Sequence, residues 1–284
     1  MAGLLEGLEA LGLGDLEKSE IYEEKKAEKV NRLNANKAKT ELTEEDIIYP
    51  KEFECPVCSG KFFSKVTKYG KAKLVGTDAD LKPKYKELEA TKYDVALCPH
   101  CGYAALIRYF PNLLEPQKKL IKEKISSRIK LNSYDEDEPT SFEEAFERYK
   151  LALACAIVKK AKSSEKAYIC LKTAWLLRGW RESLEAKGDK SKSSQMLDNE
   201  MEYIKTAYSG FVDARQKEPF PIVGMDTNTY EYLLAQLAMK VGDFDSSRKF
   251  VSGLLISRDC PERIKDKARD LKEQLKGLEN VETE

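Results

Sequence analysis

Histidine is nearly absent from this sequence: one, His100, stands among 284 residues. With no second histidine, a Ser-His-Asp triad would rest on His100 alone, and H-E-x-x-H and three-histidine zinc sites are excluded. Long apolar runs are missing too. The longest, "LALACAIV" from Leu151, has eight residues, against roughly 20 for a bilayer-spanning helix, and the first residues lack the basic and apolar blocks of an export signal. The expectation is a cytoplasmic protein with no membrane partner. Net charge is absent as well, since 49 basic residues balance 49 acidic ones, and no global field drives the chain onto nucleic acid or lipid. There is no glycine-rich phosphate loop and no constellation of nucleophile, acid and base. An enzyme is therefore not the expected reading, and nothing in the sequence sets an oligomeric state.

What is present is unevenly spread. Met1 to Glu54 carries 14 acidic and 8 basic residues, whereas Lys61 to Lys92 carries 9 lysines against 4 acids. Residues 1–49 read as an acidic leader, partly helical or disordered. Its leucine stripe, Leu4, Leu5, Leu8, Leu11 and Leu16, is broken by Gly3, Gly7, Gly12 and Gly14, each costing up to about 1 kcal/mol inside a helix. Residues 50–131 hold the short runs "KFFSKVTKY", "KAKLVG" and "KYDVALC" between turn residues, the pattern of a small antiparallel sheet. A helix should then pack on that sheet, with Pro116 in its first turn and Leu114, Gln117, Ile121, Ile125 and Ile129 along one side.

The aperiodic acidic stretch "NSYDEDEP", Asn132 to Pro139, marks the expected domain boundary. Beyond it Ser141 and Glu144 form a capping-box pattern, and residues 139–281 show only helical periodicity, in segments near 142–161, 164–187, 193–216, 228–241, 244–257 and 261–278. Six helices point to three antiparallel pairs. In "YLLAQLAMKVGDFDSSRKFVSGLL", Gly242 takes the turn, Ala235 and Ala238 fall where two helices approach closely, and Ser247, Val251 and Leu254 face them. That spacing resembles a tetratricopeptide repeat, with an ordinary helical bundle as the alternative. The fold class is α+β: a small antiparallel zinc-ribbon-like domain, then an all-α domain of tetratricopeptide-like helices.

Seven cysteines are an odd number for a disulfide framework, and four lie in two C-x-x-C pairs, Cys55/Cys58 and Cys98/Cys101, separated by 39 residues. Each pair bends the chain so that two thiolates face one ion, and four thiolates make the tetrahedral set that zinc accepts. One structural Zn2+ on Cys55, Cys58, Cys98 and Cys101 is expected; an iron centre on similar knuckles is the alternative. Gly102 suits a positive φ after the second knuckle; Ser59-Gly60 is a looser version after the first. Four sulfurs complete the coordination, so His100 reads as a bystander and no position is left open for substrate. Cys155, Cys170 and Cys260 read as buried apolar side chains. Asp78, Asp80 and Asp94 read as turn and strand-edge carboxylates rather than catalysts.

At "FECPVCSGKF", "TDAD", "YDVALCPHCGYAA", "AWLLR" and "KVGDF" the chain resembles the bacterial domain of unknown function 2225 family, over about Tyr49 to Leu255, with "CPHCGYAA" the most specific segment. The resemblance implies a cysteine-rich N-terminal half with tetratricopeptide-like helices behind it, and Cys55, Cys58, Cys98 and Cys101 match the family's cysteine positions. "ELEATKYDV" departs from it, lacking a proline ahead of the Tyr-Asp pair. The family implies no activity.

The leading expectation is a non-enzymatic zinc-binding adaptor that holds a protein or peptide through its helical repeats, the acidic leader being a candidate occupant of their groove. The alternative is a nucleic-acid binder. Lys61, Lys65, Lys68, Lys71 and Lys73 are interleaved with Phe62, Phe63 and Tyr69, and Lys118, Lys119, Lys122 and Lys124 follow on a helix. Only weak, non-specific binding is expected of them.

Overall fold

Strand formation follows the β-branched and aromatic runs. In the computed structural model, which describes residues 42–131 and 138–282, a one-turn helix α1 (Glu44–Ile47) leads into β1 (Ile48–Glu54). β1 pairs antiparallel with β2 (Lys61–Thr67), setting Phe53 opposite Phe62 and Glu52 opposite Phe63. Alternation along β2 buries Phe62, Ser64 and Val66 and exposes Lys61 and Phe63, as the period of two requires. Two shorter hairpins follow, β3 (Leu74–Thr77) with β4 (Pro83–Tyr85) and β5 (Val95–Leu97) with β6 (Ala104–Leu106). The expected sheet is therefore three separate two-stranded ribbons among the described residues. A lone two-stranded ribbon is marginal in water, so each must lean on something else.

The helix expected after Pro116 is α2 (Glu115–Ile121), continued by one wider turn over Lys122–Ser126. Pro116 lies in its first turn, Ile121 is buried, and Leu114, the N-cap residue, stands exposed. The six further helices all form: α3 (Phe142–Val158), α4 (Ser163–Ala186), α5 (Lys190–Lys217), α6 (Thr227–Lys240), α7 (Phe244–Ile256) and α8 (Glu262–Glu282). Side chains cap four of them. Ser141, Asp189, Asp226 and Asp243 each accept the backbone N–H three residues on, satisfying a donor that the helix cannot. Only half of the expected capping box exists, because the Glu144 carboxylate turns to Arg148. None of the described helices is long and apolar enough to cross a membrane.

Each helix from α3 on packs against its successor, and three of the connections share one turn. After α4, Gly188 at φ 80° lets Asp189 N–H reach Leu184 O at 3.0 Å; after α6, Gly242 at φ 83° lets Asp243 N–H reach Ala238 O at 2.9 Å. In both places glycine supplies the left-handed position and the next aspartate caps the following helix. After α3 the same bond runs from Ala161 N–H to Ala156 O at 2.9 Å, with Lys160 forced to φ 54°. Between α6 and α7, Ala235 and Ala238 are fully buried and Ser247 Oγ donates to Ala235 O at 2.8 Å, the close approach that small residues allow.

Residues from Leu42 on make one compact unit. The interior runs through the helices as overlapping clusters: the knuckles, β5 and β6 with α3; then α4, α5 and α6; then α6, α7 and α8. α4 serves two of them, with Ile169 and Leu176 on one side and Cys170, Leu171, Ala174 and Trp175 on the other. A helix buried on both sides is apolar most of the way round. Of the acidic leader only residues 42–49 are described, and the leucine stripe lies outside them.

Candidate metal centre

The two knuckles are built alike. In the first, Ser59 N–H donates to Cys55 O at 2.8 Å and Cys55 N–H to Gly60 O at 3.0 Å; in the second, Gly102 N–H donates to Cys98 O and Cys98 N–H to Tyr103 O, both at 2.9 Å. The residue after each second cysteine has a positive φ, 72° at Gly102 and 59° at Ser59. The serine therefore holds the backbone shape that glycine holds in its counterpart. A side chain at Gly102 would also strike Ile129, with Cδ1 2.5 Å from an added Cβ. Two constraints, conformation and space, thus act on Gly102 together.

The four cysteines expected as ligands come together. Cys55 Sγ lies 3.5 Å from Cys101 Sγ, Cys58 Sγ 3.6 Å from Cys98 Sγ, and all four lie within 4.8 Å of one another. Tetrahedral coordination with metal–sulfur bonds near 2.3 Å places sulfurs about 3.8 Å apart, so the donor set could hold one ion once the short edges open by a few tenths of an ångström and the longest separations close by up to about 1 Å. Each knuckle gives one ligand to each short edge. Cys55, Cys98 and Cys101 are buried and Cys58 faces solvent, leaving the ion a way in. As thiols they share protons: hydrogen bonds from Cys101 and Cys98 hold the Cys55 thiol well below its ordinary range, while the bonds from Cys101 to Cys55 and Cys98 push its own thiol up. A divalent ion bound there would take the place of those protons.

Packing holds the centre against the helices. Phe53, Phe62 and Phe110 make a triangle of rings with centroids 5.7–5.8 Å apart, and Tyr103 lies 4.9 Å from Phe110. Behind the second knuckle Cys155 of α3 accepts the Ala104 N–H at 3.4 Å. Burial pushes its thiol up to about 11 and that of Cys170 up to about 12, so both stay protonated and apolar near neutral pH. His100 points away from the sulfurs. Its Nε2 meets Lys61 O at 3.1 Å, and its ring covers Gly60 so closely that an added Cβ there would lie 2.6 Å from Cδ2. It fastens the second knuckle to the start of β2.

Sequence reasoning missed a buried ionic network. Asp78 to Leu81 forms the expected turn, with Leu81 N–H on Asp78 O at 3.0 Å, but one of its carboxylates is withdrawn from solvent. Asp80 is fully buried; its Oδ2 accepts Arg178 Nη2 at 2.5 Å and Lys240 Nζ at 2.6 Å. Arg178 continues to Asp78 at 3.0 Å and to Glu200 at 2.7 Å. Burial alone would raise the Asp80 carboxyl, but the Arg178 bonds and the charges of Arg178 and Lys240 hold it well below the usual range. Beside it Lys82, 2% exposed, donates to Glu89 at 2.7 Å and to the α4 carbonyl of Trp175 at 2.9 Å. One sequence signal did exist: an arginine inside the apolar run "AWLLRGW" has to be paired. Asp94, the third carboxylate considered, binds Lys172 Nζ at 2.7 Å. The stretch before it, where the proline was missing, is a tight helical turn over Ala90–Tyr93, capped by Glu89.

The basic insert splits by face. Phe62 joins the interior, whereas Phe63 is exposed beside Lys61 and shares its face with Glu52 and Glu54 of β1. Lys65 donates to the Glu138 carbonyl and Lys68 to that of Asp46.

Compared with known proteins, residues 48–275 match the sequence profile of a family described as "Uncharacterized protein conserved in bacteria (DUF2225)". A Borreliella burgdorferi protein, itself described as uncharacterized, is 28% identical over 115 residues, covering 36% of this chain and 41% of that relative. The chain thus spans less than half of that relative's length. No solved structure matches.

Proposed function

The chain belongs to this bacterial family, and from that premise we propose that it is a non-enzymatic adaptor whose four-cysteine centre holds one structural Zn2+ and whose helices bind a protein or peptide. The observation that carries the reading is the closed donor set: four sulfurs within 4.8 Å of one another, drawn from two matching knuckles. Four thiolates fill a tetrahedral ion, so the metal holds the fold and does not polarise a substrate. An all-sulfur tetrahedron suits zinc and iron alike, and zinc is the reading taken because no redox partner group lies beside the four sulfurs among the described residues. Free thiols throughout, with no disulfide among the described residues, fit a reducing, cytoplasmic setting.

The recurrent turn after α3, α4 and α6, and the small-residue contact of α6 with α7, support a repeat-like stack. Such a stack offers the concave face that repeat proteins use for partners. The nucleic-acid reading has less support, since the exposed face of β1 and β2 mixes Glu52 and Glu54 with its lysines. Metal analysis tests the first half: one zinc per chain is expected, and an iron-containing or metal-free protein overturns it. Affinity capture of the full chain with crosslinking and mass spectrometry tests the second. Crosslinks from one partner protein concentrated on α4 to α8 support the adaptor; recovery of nucleic acid alone, or crosslinks confined to β1 and β2, overturns it.

A further inference from the structure

Away from the cysteines, a cavity of about 320 Å³ opens where β1 and β2, β6 and α4 converge. That is the low end of the roughly 300–1,000 Å³ of small-molecule sites. Val66, Tyr93 and Leu106 form its buried floor. Thr67, 7% exposed, lines the same wall, and its hydroxyl has no hydrogen-bond partner among the described residues, an unmet polar group of the kind that folded interiors seldom leave.

Two features define what the cavity selects. Tyr49, Tyr69, Tyr93 and Tyr168 all line it, flat surfaces suited to a planar ring; the hydroxyls of Tyr69 and Tyr93 donate to Asp94 and Glu44. Its charges are three cations, Lys51, Arg108 and Lys172, against one carboxylate, Asp94, in a chain whose net charge is zero. Asp94 and Lys172 pair with each other at 2.7 Å, which leaves Lys51 and Arg108 as the net positive charge of the recess. Lys172 and Arg108 both lie over the Tyr168 ring, 5.6 and 5.7 Å from its centroid, which holds two positive groups at the same wall. Arg108 uses one donor on the Val223 carbonyl at 2.9 Å, and a guanidinium has five.

We propose that this recess binds a small anion carrying a planar aromatic ring, of about nucleoside-monophosphate size, with the ring among the tyrosines and the anionic group met by Lys51 and Arg108. Phosphate or carboxylate can supply the charge. The test is calorimetric titration of the full, metal-loaded chain with AMP, GMP, CMP and UMP, with 4-hydroxybenzoate, and with adenosine and inorganic phosphate as half-ligands. At least one ring-bearing anion should bind with Kd on the order of 10–100 µM, and adenosine and phosphate should each bind at least about tenfold more weakly. The nucleotide and benzoate arms separate the two sources of charge. Lys51→Ala and Arg108→Gln, both at exposed positions, should each weaken binding by about tenfold, with Lys119→Ala on α2 as an unaffected control and thermal melts confirming the fold. Failure of every ring-bearing anion to bind at roughly 1 mM, equal binding by inorganic phosphate, or undiminished affinity in the Lys51/Arg108 double variant overturns the proposal.

Discussion

Between Ile48 and Phe110 no strand exceeds seven residues and no sheet exceeds two strands, whereas α4 alone runs 24 residues and α5 runs 28. The first region has little regular hydrogen bonding to hold it, and with the proposed ion bound its stability would rest on a few atoms: four sulfurs and a ring cluster. The second spreads the same task over many small apolar contacts. The difference teaches where each is vulnerable. One changed cysteine should undo the first region, while no single apolar residue is as decisive in the second. The two are joined, however, by the shared interior of the knuckles with α3 and by the charges at Asp80, Lys82 and Asp94.

The largest effect should come from the metal. Structural zinc contributes roughly 10 kcal/mol or more to small domains that it folds, so Cys101→Ser, or chelation, should remove amide protection across 48–110 and from the α3 face that packs there. Protection in α6 to α8 should persist. Hydrogen exchange followed by mass spectrometry reads this directly, and loss of protection across all helices at once would break the distinction between the regions.

Next in size is the bridge between them. Asp80→Ala leaves Lys240 without its buried partner and Arg178 with part of its network, and breaking a buried pair from one side costs about 3–5 kcal/mol. Denaturant unfolding measures it. The pH dependence follows from the depressed carboxyl. Its stabilisation is fully present above the unfolded value of about 3.9 and is lost as pH falls below that value. Asp80→Asn, which cannot ionise, should therefore show a shallower loss of stability below about pH 4 than the native chain; identical acid limbs would mean that the carboxylate does not link the regions.

These bridging residues are also what the sequence concealed. The cysteine spacing, Gly102, Gly242 and all six later helices were legible because each is local: a knuckle, a turn or a period shows within a few residues. Asp80 and Arg178 stand 98 residues apart and Lys82 and Trp175 stand 93 apart, and no periodicity marks such a pair. The exposed face of β2 was only half legible for a related reason. Lys61 and Phe63 were visible, but Glu54 and Glu52 opposite them follow only from the register.

Smaller, and sharper, is Gly179→Ala. In an exposed helix interior alanine is favoured over glycine by about 1 kcal/mol. Here an added Cβ would lie 2.3 Å from Glu89 Oε2 and 2.9 Å from its Cδ, and that carboxylate is already held by Lys82 and Thr91. Overpacking of this kind typically costs about 1–3 kcal/mol, so the variant should be less stable by about 1 kcal/mol. A rise in melting temperature would show that Glu89 is free to move and that the contact between the regions is soft.

The smallest effect compares the regions through one backbone shape. Ser59 in the first knuckle and Lys160 after α3 both hold positive φ, 59° and 54°, where Gly102, Gly188 and Gly242 stand at the matching turns. A left-handed conformation costs a non-glycine residue roughly 1–2 kcal/mol, while glycine loses about 0.5–1 kcal/mol more entropy on folding. Lys160→Gly should therefore stabilise the native chain by about 0.5 kcal/mol in global unfolding. Ser59→Gly acts on the loop that the proposed zinc would close, so its gain should be seen as tighter zinc retention against a chelator, by about twofold, with little change in the unfolding of the helices. If Ser59→Gly instead raises global stability as much as Lys160→Gly does, the knuckle unfolds together with the helices, and the metal-held region has no separate stability of its own.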